Sequence, residues 1–221
     1  MGGFDFQLVE RVVAVAGDAR VTAAGGITTA NHIADLDRMG ADAQVGMALY
    51  TGKTSLGEAL GAPLERGIDE RLWPTVVCDE NGITLGLVWS TRESLTAAVE
   101  QRRGIYWSRS RNELWIKGAT SGSTQELLRV DLDCDRDALR FTVKQHGTGF
   151  CHTGERACWP TPFDLPSLQR VIQQRRAAAD PESGTARLFE DADLLGSKLI
   201  EEASELAAAQ TDEEARHEAA D

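Results

Sequence analysis

The spacing of apolar residues changes twice along the chain, and this change constrains the fold more than any other feature. Short apolar runs alternate with helical spacing in residues 1–65, residues 71–160 contain short strand-like runs, and residues 165–221 show helical spacing throughout. We call these parts the βα fragment, the mixed-strand domain and the helical segment. They predict an α+β chain, in which a compact mixed-strand domain is preceded by βα units and followed by an all-α segment.

Local signals predict the individual elements. In the βα fragment we predict strands at residues 12–15, 20–24 and 43–49 and a helix at residues 29–39. In the mixed-strand domain we predict one helix, starting near Thr91, and six strands. The six strands are predicted at residues 75–78, 84–89, 105–107, 113–117, 126–133 and 139–145. Prolines at positions 160, 162 and 166 predict a linker before the final helices.

Charge and composition exclude several functional classes. The chain carries 35 acidic and 23 basic residues, a formal net charge of −12, which argues against a nucleic-acid-binding surface. No apolar run approaches the roughly 18 residues of a membrane span, and no targeting segment is visible, so we expect a cytoplasmic protein that does not engage a membrane. In that compartment, the four cysteines are expected to be core residues, metal ligands or nucleophiles rather than disulfides.

Four aspartates recur at every second position near the end of a predicted strand. They are Asp131, Asp133, Asp135 and Asp137. Strand periodicity would place all four on one face, where their charges would repel one another unless a cation such as Mg²⁺ neutralised them. A solvent-facing edge strand that uses charge against aggregation is an equally weighted alternative.

Three cysteines form a second group of candidate ligands. Cys134 lies among the aspartates, on the opposite face of the predicted strand, whereas Cys151 and Cys158 flank a polar, glycine-containing loop. Three thiolates would leave the fourth position of a tetrahedral zinc site open, as catalysis requires, although three unrelated buried cysteines remain an alternative. His152 would then be a general base, and Cys78, within an apolar run, is expected to be a core residue.

Basic and hydroxyl side chains lie between tryptophans in the middle of the same domain. These candidates are Arg109, Arg111, Lys117, Thr120 and Ser121. Cationic groups and hydroxyl donors beside aromatic rings suit a phosphorylated heterocycle, so we predict substrate contacts here, with ordinary sheet-surface residues as the alternative.

The mixed-strand domain contains an ordered series of short motifs: YWSRSR (106–111), ELWIKG (113–118), TSG (120–122), LDCDRDA (132–138) and CHTG (151–154) followed by Cys158. With this series the domain resembles phosphoribosyl-AMP cyclohydrolase, an enzyme of histidine biosynthesis. The resemblance implies hydrolytic opening of the N1–C6 bond of the adenine ring in 1-(phosphoribosyl)-AMP, which gives the formimino-aminoimidazole carboxamide ribotide.

The resemblance also implies metal ligands and an oligomeric state. The implied Mg²⁺ ligands are Asp133, Asp135 and Asp137. The implied Zn²⁺ ligands are Cys134 of one subunit and Cys151 and Cys158 of its dimer mate. The active protein would therefore be a homodimer with a zinc site shared between its subunits.

The helical segment resembles the start of phosphoribosyl-ATP pyrophosphohydrolase, through residues 168–175, 183–188 and 198–205. A second Mg²⁺ site is predicted at two carboxylate pairs with helical spacing, Glu202 with Glu205 and Glu218 with Asp221. Gly184 departs from the family, which usually carries tyrosine there, and this part is expected to be incomplete. Pyrophosphohydrolase activity alone, or a structural zinc module without catalysis, are the alternatives to the cyclohydrolase.

The βα fragment contains two glycine-bearing motifs, AGGITT (24–29) and VGMALYTGK (45–53). With these motifs it resembles the last βα units of the histidine-pathway (βα)₈ isomerase. Most of the barrel is absent from this sequence, so we do not predict isomerase activity. We expect a remnant that packs against the cyclohydrolase, with residual phosphate affinity at Gly25, Gly26 and Gly46 as the sharper alternative.

Overall fold

The computed structural model describes residues 4–64, 72–160, 163–178, 180 and 182–219. The predicted boundaries at residues 65 and 71 therefore lie outside the described residues. The chain divides into two compact units, Met1–Thr161 and Pro162–Asp221, which we describe separately. Within the described ranges, no helix is both long and apolar enough to cross a membrane.

The βα fragment contains two parallel strands with short helices around them. Its elements are α1 (Phe6–Val15), β1 (Val21–Ala24), α2 (Ala30–Arg38), β2 (Ala41–Gln44), α3 (Met47–Tyr50) and α4 (Leu56–Gly61). Strands β1 and β2 pair in register from Val21 opposite Ala41 onwards. Ile33 and Leu36 of α2 are buried against this small sheet, so the fragment has a core of its own.

Two strands predicted in the βα fragment are wrong in part or whole. Residues 12–15 form the last turns of α1 because the Asp5 side chain caps the helix, accepting the Leu8 N–H at 3.0 Å. Phe6, Val9 and Val13 recur at helical spacing and pack against the fragment's core. The strand predicted at residues 43–49 ends at Gln44, and α3 follows it.

The mixed-strand domain has the predicted six strands and one helix. Its elements are β3 (Trp73–Asp79), β4 (Thr84–Ser90), α5 (Arg92–Gln101), β5 (Ile105–Ser108), β6 (Glu113–Ile116), β7 (Gln125–Leu132) and β8 (Leu139–Gln145). The main sheet has the order β4-β3-β8-β7, in which the β3–β8 pair is parallel and the others are antiparallel. Together with the βα units and the final helices, this mixed sheet confirms the predicted fold class.

Apolar side chains from every strand of this domain, and from α5, meet in one core. Leu85, Leu95, Tyr106 and Phe141 are almost completely buried. The Tyr106 hydroxyl donates a hydrogen bond of 2.7 Å to the Gln125 side chain, which satisfies the polar end of this ring inside the core. β5 and β6 form a separate hairpin that carries most of the predicted substrate-contact residues at its ends.

The βα fragment packs against α5 of the mixed-strand domain. Gly57 of α4 approaches Thr96 so closely that an added Cβ would lie 2.5 Å from the Thr96 Cα. The Arg92 guanidinium donates a hydrogen bond of 2.8 Å to the Gly61 carbonyl. The fragment therefore buries part of its surface against the following domain, as its incomplete sheet requires.

The described residues of the second unit form helices of 7 to 17 residues. They are α6 (Leu165–Ala178), α7 (Gly184–Glu190), α8 (Ala192–Ala208) and α9 (Asp212–Glu218). Capping side chains define several of their starts: Thr211 and Glu214, for example, form a reciprocal capping box at α9. Many apolar side chains of this unit stay exposed, including Leu199 at 62% and Ile200 at 71%, so its described helices bury little surface on their own.

Candidate active site

Asp133, Asp135 and Asp137 lie together in the loop between β7 and β8. We call residues 133–138 the acidic loop. The Asp133 carboxylate accepts hydrogen bonds of 3.0 Å from the backbone N–H groups of Asp137 and Ala138, and this closes the turn. Carboxylate oxygens of the three aspartates all lie within 4.8 Å of one another. The loop therefore places three hard oxygen ligands around one point, which fits a divalent cation such as Mg²⁺.

The strand periodicity that predicted this cluster is wrong in its geometry. β7 ends at Leu132, so the three aspartates meet through a turn and not through alternation along a strand. Asp131 is still within β7 and points to other partners: its carboxylate accepts from Arg129 at 2.6 Å and from Arg140 at 3.1 Å. Neutralised in this way, Asp131 is separate from the group of three.

The electrostatics of the acidic loop show how closely its charges are packed. Burial raises the pKa of Asp133, but hydrogen bonds from Ala138 and the neighbouring aspartates outweigh burial and hold that pKa below its usual range. The hydrogen bond to Asp133 and the charge of Asp135 raise the pKa of Asp137. A bound divalent cation would relieve this repulsion, so the donor set fits a metal on chemical grounds as well as by position.

Cys151 and Cys158 lie on a second turn, which we call the cysteine loop (residues 150–158). The turn is closed by hydrogen bonds from the Phe150 N–H to the Arg156 carbonyl at 2.9 Å and from the Cys151 N–H to the Glu155 carbonyl at 3.0 Å. The Cys158 N–H bonds the Leu85 carbonyl of β4 at 2.7 Å, which attaches the loop to the main sheet.

An ion pair with a buried carboxylate anchors the cysteine loop to the main sheet. The Arg156 guanidinium donates at 2.6 Å to Asp79, whose side chain is completely buried at the end of β3. The other oxygen of the same carboxylate accepts the N–H groups of Asn81 and Ile83 in the β3–β4 turn. Sequence reasoning missed this pair because the two residues lie 77 positions apart and belong to no common motif.

The two thiols of the cysteine loop differ in their tendency to ionise. The Thr153 hydroxyl donates to the Cys151 sulfur at 3.1 Å, and this hydrogen bond lowers the pKa of Cys151. Burial, followed by the neighbouring charge of Cys151, raises the pKa of Cys158. A soft cation would stabilise both as thiolates, so this pair fits part of a zinc site. Thr153 was also missed, although it follows His152 directly in the sequence.

The cysteine loop and the β5–β6 hairpin enclose a cleft of about 710 Å³. Seven of the predicted site residues line it: Arg111, Lys117, Thr120, Ser121, Cys151, His152 and Cys158. Arg109 does not line this cleft. Its guanidinium lies 4.4 Å from the centre of the Trp89 ring, beside an adjoining cavity of about 530 Å³. The structure thus brings most of the predicted substrate residues together with two of the predicted thiols.

Lys117 occupies the floor of the cleft. Its ammonium group donates to the Ser123 carbonyl at 3.2 Å and lies 5.5 Å from the centre of the Phe150 ring. Burial lowers the pKa of Lys117, an effect opposed by the nearby thiols of Cys158 and Cys151. Lys117 therefore places its charge directly below the cysteine loop, as well as beside the cleft.

Cys134 lies apart from the other two cysteines. It is exposed on the acidic loop, and the three thiols form no ligand group among the residues that the structure describes. One chain therefore brings together two of the three predicted zinc ligands. Sharing of the zinc site between subunits remains a prediction.

A second carboxylate group lies in the helical segment. Glu202 and Glu205 of α8 and Glu218 of α9 place carboxylate oxygens within 4.8 Å of one another. Lys198 stands nearby, with its ammonium group 3.7 Å from Glu202. Asp221, the fourth predicted member of this group, lies outside the described residues.

The glycine loops of the βα fragment line an open cavity of about 430 Å³. Gly25 and Gly26 have φ angles of 84° and 73°, which suit glycine, and both are exposed. Gly46 and Lys53 line the same cavity. The loops are not occluded, so residual phosphate affinity stays a prediction.

Comparison with family models identifies three parts of the chain in the predicted order. Residues 1–55 match the model described as histidine biosynthesis protein, residues 86–160 match phosphoribosyl-AMP cyclohydrolase, and residues 165–221 match phosphoribosyl-ATP pyrophosphohydrolase. These matches confirm the three resemblances that the sequence motifs indicated.

Curated relatives of the chain include trifunctional and bifunctional histidine biosynthesis proteins. The histidine biosynthesis trifunctional proteins of Neurospora crassa and Saccharomyces cerevisiae are each 46% identical to the chain, over 77% and 68% of its length respectively. The chain spans about a fifth of the length of these proteins, 19% in each case. The histidine biosynthesis bifunctional protein HisIE of Synechocystis is 41% identical over 66% of the chain, which covers 73% of that relative. This coverage shows that the chain belongs to the family of histidine-biosynthesis proteins in which a phosphoribosyl-AMP cyclohydrolase domain precedes a phosphoribosyl-ATP pyrophosphohydrolase domain.

Proposed function

We propose that this chain catalyses the hydrolytic opening of the N1–C6 bond of the adenine ring in 1-(phosphoribosyl)-AMP. The observation that supports this most is the cleft between the cysteine loop and the β5–β6 hairpin. It combines two thiols and an imidazole with the cationic and hydroxyl side chains that a phosphorylated nucleotide requires.

Zinc would be held by Cys151 and Cys158 of one subunit and by Cys134 of the other. Bound there, Zn²⁺ would supply the Lewis-acid chemistry that makes water nucleophilic at neutral pH. The chain prepares for this by lowering the pKa of Cys151 through Thr153 and by anchoring the loop on Asp79 through Arg156. Because only two thiols meet within one chain, a homodimer is part of the proposal.

His152 would move the proton in this reaction. It lines the cleft directly after Cys151, and its Nδ1 lies 3.8 Å from the Cys151 sulfur. An exposed imidazole at the mouth of the cleft can accept a proton from the attacking water and return it to the ring nitrogen that leaves C6. We therefore assign His152 as the general base.

The remaining residues of the cleft would bind the substrate. The hydroxyls of Thr120 and Ser121 and the guanidinium of Arg111 are exposed at its rim, where they can bond phosphate and ribose oxygens. Arg111 also pairs with Glu113 at 3.0 Å, which holds it beside the cleft. The acidic loop would hold Mg²⁺, which balances the charge of the substrate's phosphates.

The group of glutamates on α8 and α9 favours a second candidate activity. Three carboxylates close together on two capped helices suit the Mg²⁺ that assists hydrolysis of a triphosphate. Pyrophosphohydrolase activity on phosphoribosyl-ATP is therefore the alternative to the cyclohydrolase, or an addition to it. A structural zinc module without catalysis is the third candidate.

Turnover of both substrates by four proteins separates these candidates. Ultraviolet absorbance is followed for the parent chain, Cys151→Ser, Glu205→Gln and a control, Cys78→Ala, all supplied with zinc and magnesium. Cys78 is a buried core cysteine that does not line the cleft, so it controls for loss of a thiol as such.

The proposal expects opening of 1-(phosphoribosyl)-AMP by the parent, Glu205→Gln and Cys78→Ala, and none by Cys151→Ser. If the parent turns over only phosphoribosyl-ATP and Glu205→Gln loses that turnover, the function of the chain would be that of a pyrophosphohydrolase and not of a cyclohydrolase. Inactivity of the folded, zinc-loaded parent on both substrates would leave the structural module.

A further inference from the structure

The acidic loop is attached to the βα fragment by a forked ion pair. Arg136, in the middle of the loop, directs its guanidinium at Asp37 near the end of α2. Nη2 lies 2.9 Å from one carboxylate oxygen, and Nε lies 3.2 Å from the other. This bidentate contact joins the βα fragment to the mixed-strand domain, between residues 99 positions apart.

The same arginine also binds its own loop. Its Nη1 donates at 2.7 Å to the carbonyl of Asp133, the residue whose carboxylate closes the turn. Arg136 has a φ of 65°, in the left-handed region that residues with side chains rarely adopt. A conformation of this kind persists when surrounding contacts impose it, and the contacts of the guanidinium can do so.

Asp37 lies on a helix that is anchored in the core of the βα fragment. Leu36 and Ile33 of the same helix are buried in the core of the βα fragment. Leu132, the last residue of β7, lines the same small cavity as Asp37 and Ile33. The side chains of Arg136 and Asp37 are 36% and 28% exposed, whereas those of Arg20 and Asp42, an ion pair elsewhere in the fragment, are 84% and 42% exposed. The pair is therefore better shielded from solvent than an ordinary surface contact.

We propose that Asp37 is a positioning residue for the acidic loop. Through Arg136 it holds the left-handed turn that brings Asp133, Asp135 and Asp137 together, so the βα fragment serves the cyclohydrolase as a brace for its magnesium ligands. The metal role of the loop, and with it this inference, rests on the proposed function. The ordering of the loop by Asp37 does not depend on turnover.

The test compares full-length Asp37→Asn with the matched control Asp35→Asn. Asp35 lies on the same helix and accepts a hydrogen bond of 2.6 Å from Arg38, two residues away from the contact with the loop. Two local quantities are measured by NMR: hydrogen exchange of the Asp137 and Ala138 amides in metal-free protein, and Mn²⁺-induced broadening of residues 133–138. Mn²⁺ is the probe for Mg²⁺.

Asp37→Asn is expected to speed exchange of the two amides and to weaken Mn²⁺ binding at the loop by about three- to tenfold, the range for a partly shielded ion pair. Asp35→Asn should behave like the parent. Asp37→Glu, which keeps the carboxylate, should restore most of the Mn²⁺ affinity, a rescue that a general packing defect would not show.

Exchange and Mn²⁺ affinity in Asp37→Asn equal to those of the parent would overturn the inference, even in an active enzyme. A parent that binds no Mn²⁺ at residues 133–138 would overturn it too. Failure of the proposed function shows differently, as a parent without turnover. If Asp37→Asn does not fold, Asp37→Glu decides. A folded Asp37→Glu variant in which the Asp137 and Ala138 amides exchange as fast, and the loop binds Mn²⁺ as weakly, as in Arg136→Ala would contradict positioning by the carboxylate.

Discussion

The acidic loop and the cysteine loop differ in how many candidate metal ligands they bring together. Each is a turn that gathers candidate metal ligands, and each is anchored by an arginine to a distant aspartate. The acidic loop gathers a full group of three carboxylates within one chain, whereas the cysteine loop gathers two thiols and leaves Cys134 elsewhere. One tight turn thus gathers a full group of hard ligands, whereas the proposed soft-ligand site would need a third thiol from a second subunit.

The largest expected effect tests whether the zinc site is shared between subunits. Cys134→Ala and Cys151→Ala should each lose zinc, and their activity should fall by more than about a hundredfold. Removal of a residue that only orients a metal ligand costs up to that factor, so removal of the ligand itself should cost more. Mixing the two variants should restore about one quarter of the parent activity, since half of the randomly mixed dimers are hybrids and each hybrid holds one intact site. Zinc content and turnover of the mixture are measured after subunit exchange. Stable hybrids without activity would mean that each chain builds its own site.

The two anchors should differ in what they contribute to stability. Asp79→Asn leaves Arg156 without its charged partner beneath the cysteine loop, and we expect a loss of about 3 kcal/mol in the free energy of unfolding. Asp37→Asn, at a partly exposed pair, should cost about 1 kcal/mol or less. Urea denaturation of the metal-free proteins measures both. Equal losses would show that burial does not distinguish the anchors.

Asp135→Asn should separate the two loops functionally. It removes one carboxylate charge from the acidic loop while leaving the cysteine loop unchanged, so we expect the Mg²⁺ concentration for half-maximal activity to rise by about tenfold. Bound zinc should stay at the level of the parent. Metal analysis after gel filtration provides the check, and simultaneous loss of zinc would mean that the two sites are not independent.

The smallest expected effect concerns the Cys151 thiol. Thr153→Val removes the hydroxyl that donates to the Cys151 sulfur and so should raise the pKa of Cys151 towards its ordinary value. At a pH below that ordinary pKa, a smaller fraction of Cys151 is then ionised to thiolate. Alkylation of the metal-free protein near neutral pH should therefore slow by about two- to fivefold. Mass spectrometry assigns the rate to Cys151, with the exposed Cys134 as the internal reference. An unchanged rate would show that backbone donors alone set the ionisation of this thiol.

The sequence predicted the strands of the mixed-strand domain well because their alternation and turn signals are local. Asn81 and Gly82, for example, mark the β3–β4 hairpin without reference to the rest of the chain. The error at α1 is of the opposite kind. The apolar run at its end suits a strand as well as a helix, and the cap at Asp5 decides between them.

The candidate ligand residues were predicted from motifs, but the arrangement that the structure gives them was not. Strand alternation fails after Leu132 because the chain turns there, and a left-handed residue within that turn cannot be inferred from residue types alone. The separation of Arg109 from the main cleft likewise depends on Trp89, which lies on another strand. Contacts between distant segments, such as those of Asp79 and Asp37, carry no local signal.

The carboxylate of Asp79 joins two events in the folding of the protein. One oxygen accepts hydrogen bonds in the β3–β4 turn and the other binds Arg156, so this anchor of the cysteine loop forms only when two residues 77 positions apart have come together. Closing a long loop is entropically costly and slow compared with forming a hairpin. Capture of a soft metal ion by Cys151 and Cys158 would then follow assembly of the sheet rather than nucleate it, and a tightly held ion would report that the domain has completed its fold.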